Sequence, residues 1–270
     1  MKNLNYSGPG AETVVSGGVP ALNRVPRVTV DFWLIKLMAV TVGETAADFL
    51  ALNMGIGLQT TTLIMMAVLV VALSLQFSRK RYVPWTYWLA VVLVSVVGTL
   101  ITDNLVDTFD VPLLTTTLGC SILLAATFAA WFASEKTLSI HTIVTTRREI
   151  FYWLAILFTF ALGTAVGDYL AETLGLGYLA TGLVFLAIIA AIAVAHLVFK
   201  ADAILTFWLA YILTRPLGAS FGDLLSQPID YGGLGLGTIV TSVIFLTVIA
   251  ALVAYMTLAA RKRDARAISA

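Results

Sequence analysis

One cysteine and two histidines in 270 residues leave few groups for thiol or imidazole chemistry. Cys120 lies within an apolar run, so an intramolecular disulfide is excluded and thiolate metal ligation is disfavoured. His141 and His196 stand alone, without the spacing of metal ligands. No Gly-x-Ser-x-Gly, His-Glu-x-x-His, Cys–His pairing or nucleotide loop is present, so the chain reads as a non-enzyme without a cofactor. Charge is scarce as well. Only 11% of residues are Asp, Glu, Lys or Arg, where soluble domains run nearer a quarter. No basic block resembles a nucleic-acid footprint. Residues 1–27 contain no apolar stretch that would serve as a cleavable signal peptide, and they read as a disordered tail.

What remains is hydrophobic: 60% of the chain is apolar. Runs of about twenty apolar residues are long enough to cross the hydrocarbon core as helix. They fall near 31–52, 57–77, 86–107, 112–133, 151–173, 177–199, 204–226 and 234–259. No alternating pattern suggests strands, and every backbone polar group in lipid must be satisfied internally, so helices are expected. The connections sort by charge. After spans two, four, six and eight come Arg79, Lys80 and Arg81, then Lys136, Arg147 and Arg148, then Lys200, then Arg261, Lys262, Arg263 and Arg266. The turns within each pair carry no Lys or Arg and hold Asp107, Asp110, Glu172 and Asp230. By the positive-inside rule both termini are cytoplasmic, and the expected location is a bacterial inner membrane.

A repeat underlies these pairs. Trp, Gly ten residues later and Asp five residues after that occur as Trp33–Gly43–Asp48, Trp88–Gly98–Asp103, Trp153–Gly163–Asp168 and Trp208–Gly218–Asp223. The copies are 55, 65 and 55 residues apart, and the extra ten fall in 134–149, which reads as a linker between two halves. Turns with Gly55 and Gly57, Gly175 and Gly177, or Gly233 and Gly235 lead into threonines at 60–62, 115–117, 181 and 238 that can cap the second helix. Copy two has Asp110, Val111 and Pro112 where the glycines would stand.

On these residues the chain resembles bacterial integral membrane proteins built of four tandem repeats, each with two transmembrane spans and a characteristic Trp. The resemblance covers residues 28 to 258. That family has no assigned function, so the resemblance implies architecture and no chemistry. The expected fold is all-α: a polytopic membrane protein of eight transmembrane helices, in four parallel-oriented two-helix repeats arranged as two halves (2+2). Its repeats span about 28–82, 83–137, 148–202 and 203–258, with a basic cytoplasmic tail at 259–270.

Helical geometry puts Trp and Asp of each copy on one stripe, roughly 22 Å of rise apart. The Trp residues read as interface anchors, and the Gly, on another face, as a point of close helix packing. At +11 from the Trp the copies carry Glu44, Thr99, Thr164 and Ala219; at +7 they carry Val40, Ser95, Phe160 and Arg215; at +3, Lys36, Val91, Ile156 and Tyr211. Charges inside a bilayer are costly and mark function. Lys36, Glu44 and Arg215 are therefore read as a gating or charge-pair group, with Glu44 and Arg215 joining the first and last repeats. Lys36 could instead snorkel to the interface.

Glu44, Asp48, Asp103, Asp168 and Asp223 are the candidate substrate or ion ligands. The four Asp also form a candidate metal layer, since hard divalent cations prefer oxygen ligands. The favoured reading is a transporter or channel for a cation or a proton-coupled small solute, with a divalent metal as candidate cargo. The alternative is a membrane scaffold or sensor in which each Asp clips its own hairpin and partners bind the loop around His141. The expected partners are the lipid bilayer and a small ion or solute, with no nucleic acid; a homo-oligomer is left open.

Overall fold

The computed structural model describes residues 14–15, 19–20 and 22–268, with side chains from Leu22 to Ala259. The eight helices are α1 Val30–Asp48, α2 Leu58–Phe77, α3 Pro84–Asp103, α4 Leu113–Glu135, α5 Thr146–Asp168, α6 Gly177–Leu197, α7 Ala203–Ser226 and α8 Thr238–Ile268. A two-residue antiparallel ladder, β1 (Val14–Val15) with β2 (Val19–Pro20), precedes them. Local chemistry starts several helices. The hydroxyls of Thr29 and Thr145 accept the N–H groups of Phe32 and Arg148, and Asp202 accepts from Leu205 N at 2.8 Å. Pro84 occupies the first turn of α3, where its missing N–H does no harm.

Seven of the eight helices are long and apolar enough to span a membrane. The eighth, α1, has the length but carries Asp31, Lys36, Glu44 and Asp48. Lys36 and Glu44 are hidden inside the bundle, so α1 does not present them to lipid. The chain is a polytopic membrane helical bundle.

The bundle has two concentric layers. Helices α1, α3, α5 and α7 form a closed inner ring in which each packs on the next and α7 returns to α1. Helices α2, α4, α6 and α8 lie outside. Within the spanning segments, 67% of α3 and of α5 is buried against 17% of α2, α6 and α8. The outer helices expose Leu63, Val70, Leu118, Ile122 and Leu183, as lipid contact requires. Each outer helix packs mainly on the inner helix of the following repeat: α2 on α3, α4 on α5, α6 on α7, and α8 on α1. The repeat written in the sequence is therefore not the packing unit. Nor does 134–149 divide the bundle into the expected two halves, because α3 and α5 pack as continuously as the other neighbours.

The repeated Gly fixes this ring. A Cβ placed on Gly43 would stand 2.5 Å from Ser95 Cβ. One on Gly98 would stand 2.6 Å from Phe160 Cβ, one on Gly163 2.5 Å from Arg215 Cβ, and one on Gly218 2.5 Å from Val40 Cγ1. The +10 Gly of every copy thus receives the +7 side chain of the next copy, and the fourth receives that of the first. Only a residue without Cβ admits this approach.

Three inner helices end in the same way. Directly after Asp48, Asp103 and Asp168 the backbone widens into single π-helical turns, Phe49–Asn53, Asn104–Thr108 and Tyr169–Thr173. The chain then reverses through left-handed residues, Gly55 and Gly175 at φ 68°. In copy two Asp110 takes that position at φ 52°, a conformation Asp tolerates, which accounts for the missing glycine. Copy four has no π-turn and inserts a 3₁₀ turn, Ile229–Tyr231, which delays α8 to Thr238 from the expected 234.

Two expectations at the ends need revision. Of the tail read as disordered over 1–27, residues 22–27 are described and packed. Asn23 Nδ2 donates to Ile140 O at 3.2 Å, and Ile143 N donates to Asn23 Oδ1 at 2.9 Å. Arg24 pairs with the fully buried Glu149 at 2.6 Å, and Gln76 Nε2 donates to the same carboxylate at 2.9 Å. Residues 1–13, 16–18 and 21 lie outside the described residues. At the other end, 259–268 continues α8 as helix, and 269–270 lie outside the described residues.

Candidate functional site

The four inner helices bring their +15 residues to one place. Asp48, Asp103, Asp168 and Asp223 line a single cavity of about 250 Å³ together with Glu44. Its mouth lies at the turn end of the bundle, where Asp107 and Glu172 are exposed and also line it. Leu52, Leu58, Val106, Leu113 and Tyr178, with the polar Thr102 and Gln227, complete the wall.

The hairpin clip expected in the alternative reading is not formed. None of the four carboxylates accepts a hydrogen bond from its own turn or from the threonines that follow. Among the described residues, the one donor to the set is Gln227 Nε2, 3.3 Å from Asp48 Oδ2 and from another repeat. The hydroxyls of Thr61, Thr116 and Thr181 are buried without a hydrogen bond. The N-terminal residues Leu58, Leu113 and Tyr178 of α2, α4 and α6 do line the cavity beside the Asp residues, but as side chains of its wall and not as donors to those carboxylates.

Among the described residues no three His, Cys, Asp or Glu side chains stand close enough together to hold a metal ion. Ligands to a bare Mg²⁺ or Ca²⁺ must converge to about 2.0–2.6 Å from the ion. These carboxylates ring a cavity instead of a point.

The cavity ends on a buried ion pair. Arg215 Nη1 lies 3.0 Å from Glu44 Oε2, with the Arg side chain fully buried and the Glu side chain 7% exposed. Arg215 Nη2 donates to the hydroxyls of Thr99 and Thr164, the latter at 2.6 Å. Glu44, Thr99 and Thr164 are the +11 residues of copies one to three. The fourth is Ala219, whose small side chain leaves a gap that Arg215 fills from the layer below. One guanidinium from α7 thus ties α1, α3 and α5 together. Glu44 and Arg215 meet as the sequence suggested; the two threonines were visible as a layer, but nothing in the sequence assigned them as its partners.

Lys36 does not join the pair and does not snorkel. It is fully buried, and its Nζ donates to Tyr211 O at 2.7 Å and to the Thr214 hydroxyl. The ammonium also stands 3.9 Å from the Tyr211 ring centroid. Among the described residues it has no carboxylate within ion-pair distance. Its acceptor lies about one turn before Pro216, which has no N–H to donate to the carbonyl of Ile212. Phe160 separates the two cations, 5.8 Å from Lys36 Nζ and 5.5 Å from the Arg215 guanidinium carbon.

Beneath them lies an aromatic floor. Tyr87 and Tyr152 share a hydroxyl–hydroxyl hydrogen bond of 2.5 Å and are fully buried. Phe32, Trp88, Trp153, Trp208 and Tyr211 surround them in edge and tilted contacts. Trp88, Trp153 and Trp208 are at most 4% exposed, so they are packing residues of this floor and not interface anchors. The neighbours at −1, Phe32, Tyr87 and Tyr152, were not marked by the sequence reading, although an aromatic at −1 in all four copies was a visible signal.

A second cavity, about 660 Å³, opens among α1, α6, α7 and the linker near the basic loops. Its wall is mostly apolar, with His141, His196, Thr206 and Thr214 as polar members. His196 Nδ1 lies 3.3 Å from Thr206 Oγ1, so that imidazole is held within the local fold.

Together, one face of the bundle holds seven carboxylates around a cavity, closed below by an arginine, a lysine and an aromatic layer. Carboxylates so close in a low-dielectric surround repel one another, and a cation entering among them relieves that repulsion. No curated protein and no solved structure matches the chain. A family described as a Repeat of Unknown Function (DUF347) matches residues 32–82, 86–137, 151–202 and 206–262, one match for each helix pair. These four matches cover most of the sequence, and the chain belongs to that repeat family.

Proposed function

We propose that this protein is a transporter or channel that admits a cation, or a proton-coupled cationic solute, through the carboxylate-lined cavity. The observation that carries the reading is the meeting of all four repeat Asp residues with Glu44 in one cavity, Glu44 being paired with Arg215. A scaffold has no need to gather carboxylates that repel one another and leave most of them without hydrogen-bond donors. The exposed Asp107 and Glu172 at the mouth raise the local cation concentration. The Glu44–Arg215 pair closes the path, and Glu44 is the group for which an entering cation and Arg215 compete. Charge on the connecting loops supports a bacterial inner membrane location with both termini in the cytoplasm and the cavity opening outward.

The test is flux into proteoliposomes carrying the purified chain, with a panel of monovalent and divalent cations, organic cations and an imposed pH gradient. Asp48→Asn, Asp103→Asn, Asp168→Asn and Asp223→Asn are each expected to lower flux by about tenfold or more, an intramembrane carboxylate being hard to replace. Flux that survives all four substitutions unchanged would remove the carboxylate ring from the mechanism.

A further inference from the structure

The carboxylates of the cavity stand in tiers along its axis. Glu44 is at +11, the four Asp at +15, and Asp107 and Glu172 at +19. The step from +11 to +15 is roughly 6 Å of α-helical rise. From +15 to +19 the chain runs through the π-turns Asn104–Thr108 and Tyr169–Thr173, which rise less per residue, so the two upper tiers stand within roughly 6 Å of rise of each other. The lowest tier is already neutralised, because Glu44 pairs with Arg215. Two acidic tiers remain for a ligand, and beside them the wall carries Leu52, Leu58, Val106, Leu113 and the Tyr178 ring, along with Thr102 and Gln227. Asp223 is 7% exposed, lines the cavity, and its carboxylate has no hydrogen bond or ion pair among the described residues. That buried, unpartnered acceptor points to a ligand that brings its own donors.

A metal ion answers this arrangement poorly. Among the described residues no three His, Cys, Asp or Glu side chains form a metal-holding cluster, and the aliphatic part of the wall offers nothing to a hydration shell. A linear diamine answers it well. Four methylenes between two nitrogens make five bonds, each advancing about 1.25 Å along an extended chain, or roughly 6 Å in all. One ammonium then sits among the Asp tier, the other between Asp107 and Glu172, and the methylenes lie on the leucines. The tyrosine ring adds a face for either cation.

We propose that the cavity binds a linear aliphatic diamine or polyamine, its ammonium groups on the two upper carboxylate tiers and its methylenes on the leucine wall. This rests on the reading of the cavity as a cation entry and narrows it to a substrate class. The test is calorimetric binding to the full chain in nanodiscs, with 1,4-diaminobutane, 1,8-diaminooctane, butylamine and MgCl₂ as probes. The wild-type series alone decides it, so no variant has to fold. The four-carbon diamine is expected to bind about tenfold or more tighter than butylamine, the eight-carbon diamine and Mg²⁺, a gap of about 1.4 kcal/mol per decade. Asp223→Asn is expected to weaken 1,4-diaminobutane by about tenfold. Equal affinity across the amines, or Mg²⁺ binding as tightly as the diamine, overturns the proposal. Metal-ion flux in proteoliposomes without diamine binding would leave the transport reading standing and sink this one; absence of both binding and flux for every cation would sink the two together.

Discussion

The Glu44–Arg215 pair offers the strongest quantitative test of the bundle. The guanidinium is fully buried, and its partner is 7% exposed at the base of a cavity. Among the described residues, Glu44→Gln removes the one carboxylate within ion-pair distance of Arg215 and leaves it the Thr99 and Thr164 hydroxyls as hydrogen-bond acceptors. Breaking one side of a buried pair costs about 3–5 kcal/mol, because the remaining charge is left uncompensated. Arg215→Gln leaves Glu44 beside the cavity, where water or another cation can reach it, so its cost is expected at the lower end of that range. The double variant carries neither buried charge and should recover part of the loss, giving a coupling energy of about 2 kcal/mol, within the range for contacting residues. Reversible unfolding of the purified protein in mixed micelles, measured for the wild type, both single variants and the double, closes the cycle. Costs that add to within about 0.5 kcal/mol would show the two residues to be independent and refute the pairing.

Two further outcomes follow from packing. Gly163→Ala would set a Cβ 2.5 Å from Arg215 Cβ, and it is expected to destabilise by about 1–3 kcal/mol, whereas Gly119→Ala on α4 meets nothing within 4 Å and should be neutral or stabilising by up to about 1 kcal/mol; comparable losses at both sites, read as thermal unfolding, would refute the close-approach account. Arg24→Ala leaves the buried Glu149 with Gln76 as its remaining side-chain donor and should free residues 22–28 from the linker, measured as faster proteolysis there; unchanged cleavage would show that the 2.6 Å pair does not hold the segment.

Much of the architecture follows from the order of residues alone. Hydrophobic length and loop charge set the number and extent of the helices, because a bilayer imposes both on any chain that crosses it. The period of Trp, Gly and Asp set the repeat, and the 3.6-residue turn placed Asp48, Glu44 and Val40 on one face of α1. That Glu44 and Arg215 would meet was legible too, since each is a charge that lipid does not tolerate and they share a face and nearly a height.

Which helices touch was decided by the tertiary structure. Sequence neighbours such as α1 and α2 looked like hairpins, yet each outer helix packs on the next repeat, because the +10 Gly admits the next copy's +7 side chain and closes the ring at α7 and α1. That closed ring left the carboxylates facing a common cavity. It also turned Trp88, Trp153 and Trp208 inward, to an aromatic floor that no single-helix argument could assemble. Lys36 shows the same limit: its spacing fixed its face, but whether it met a carboxylate, the interface or the Tyr211 carbonyl depended on the packing of α7 against α1. Helix periodicity determines the direction in which a side chain points along its own helix. What it meets depends on how four such helices settle against one another, and in this chain the approach of a glycine in one repeat to a side chain in the next decided that.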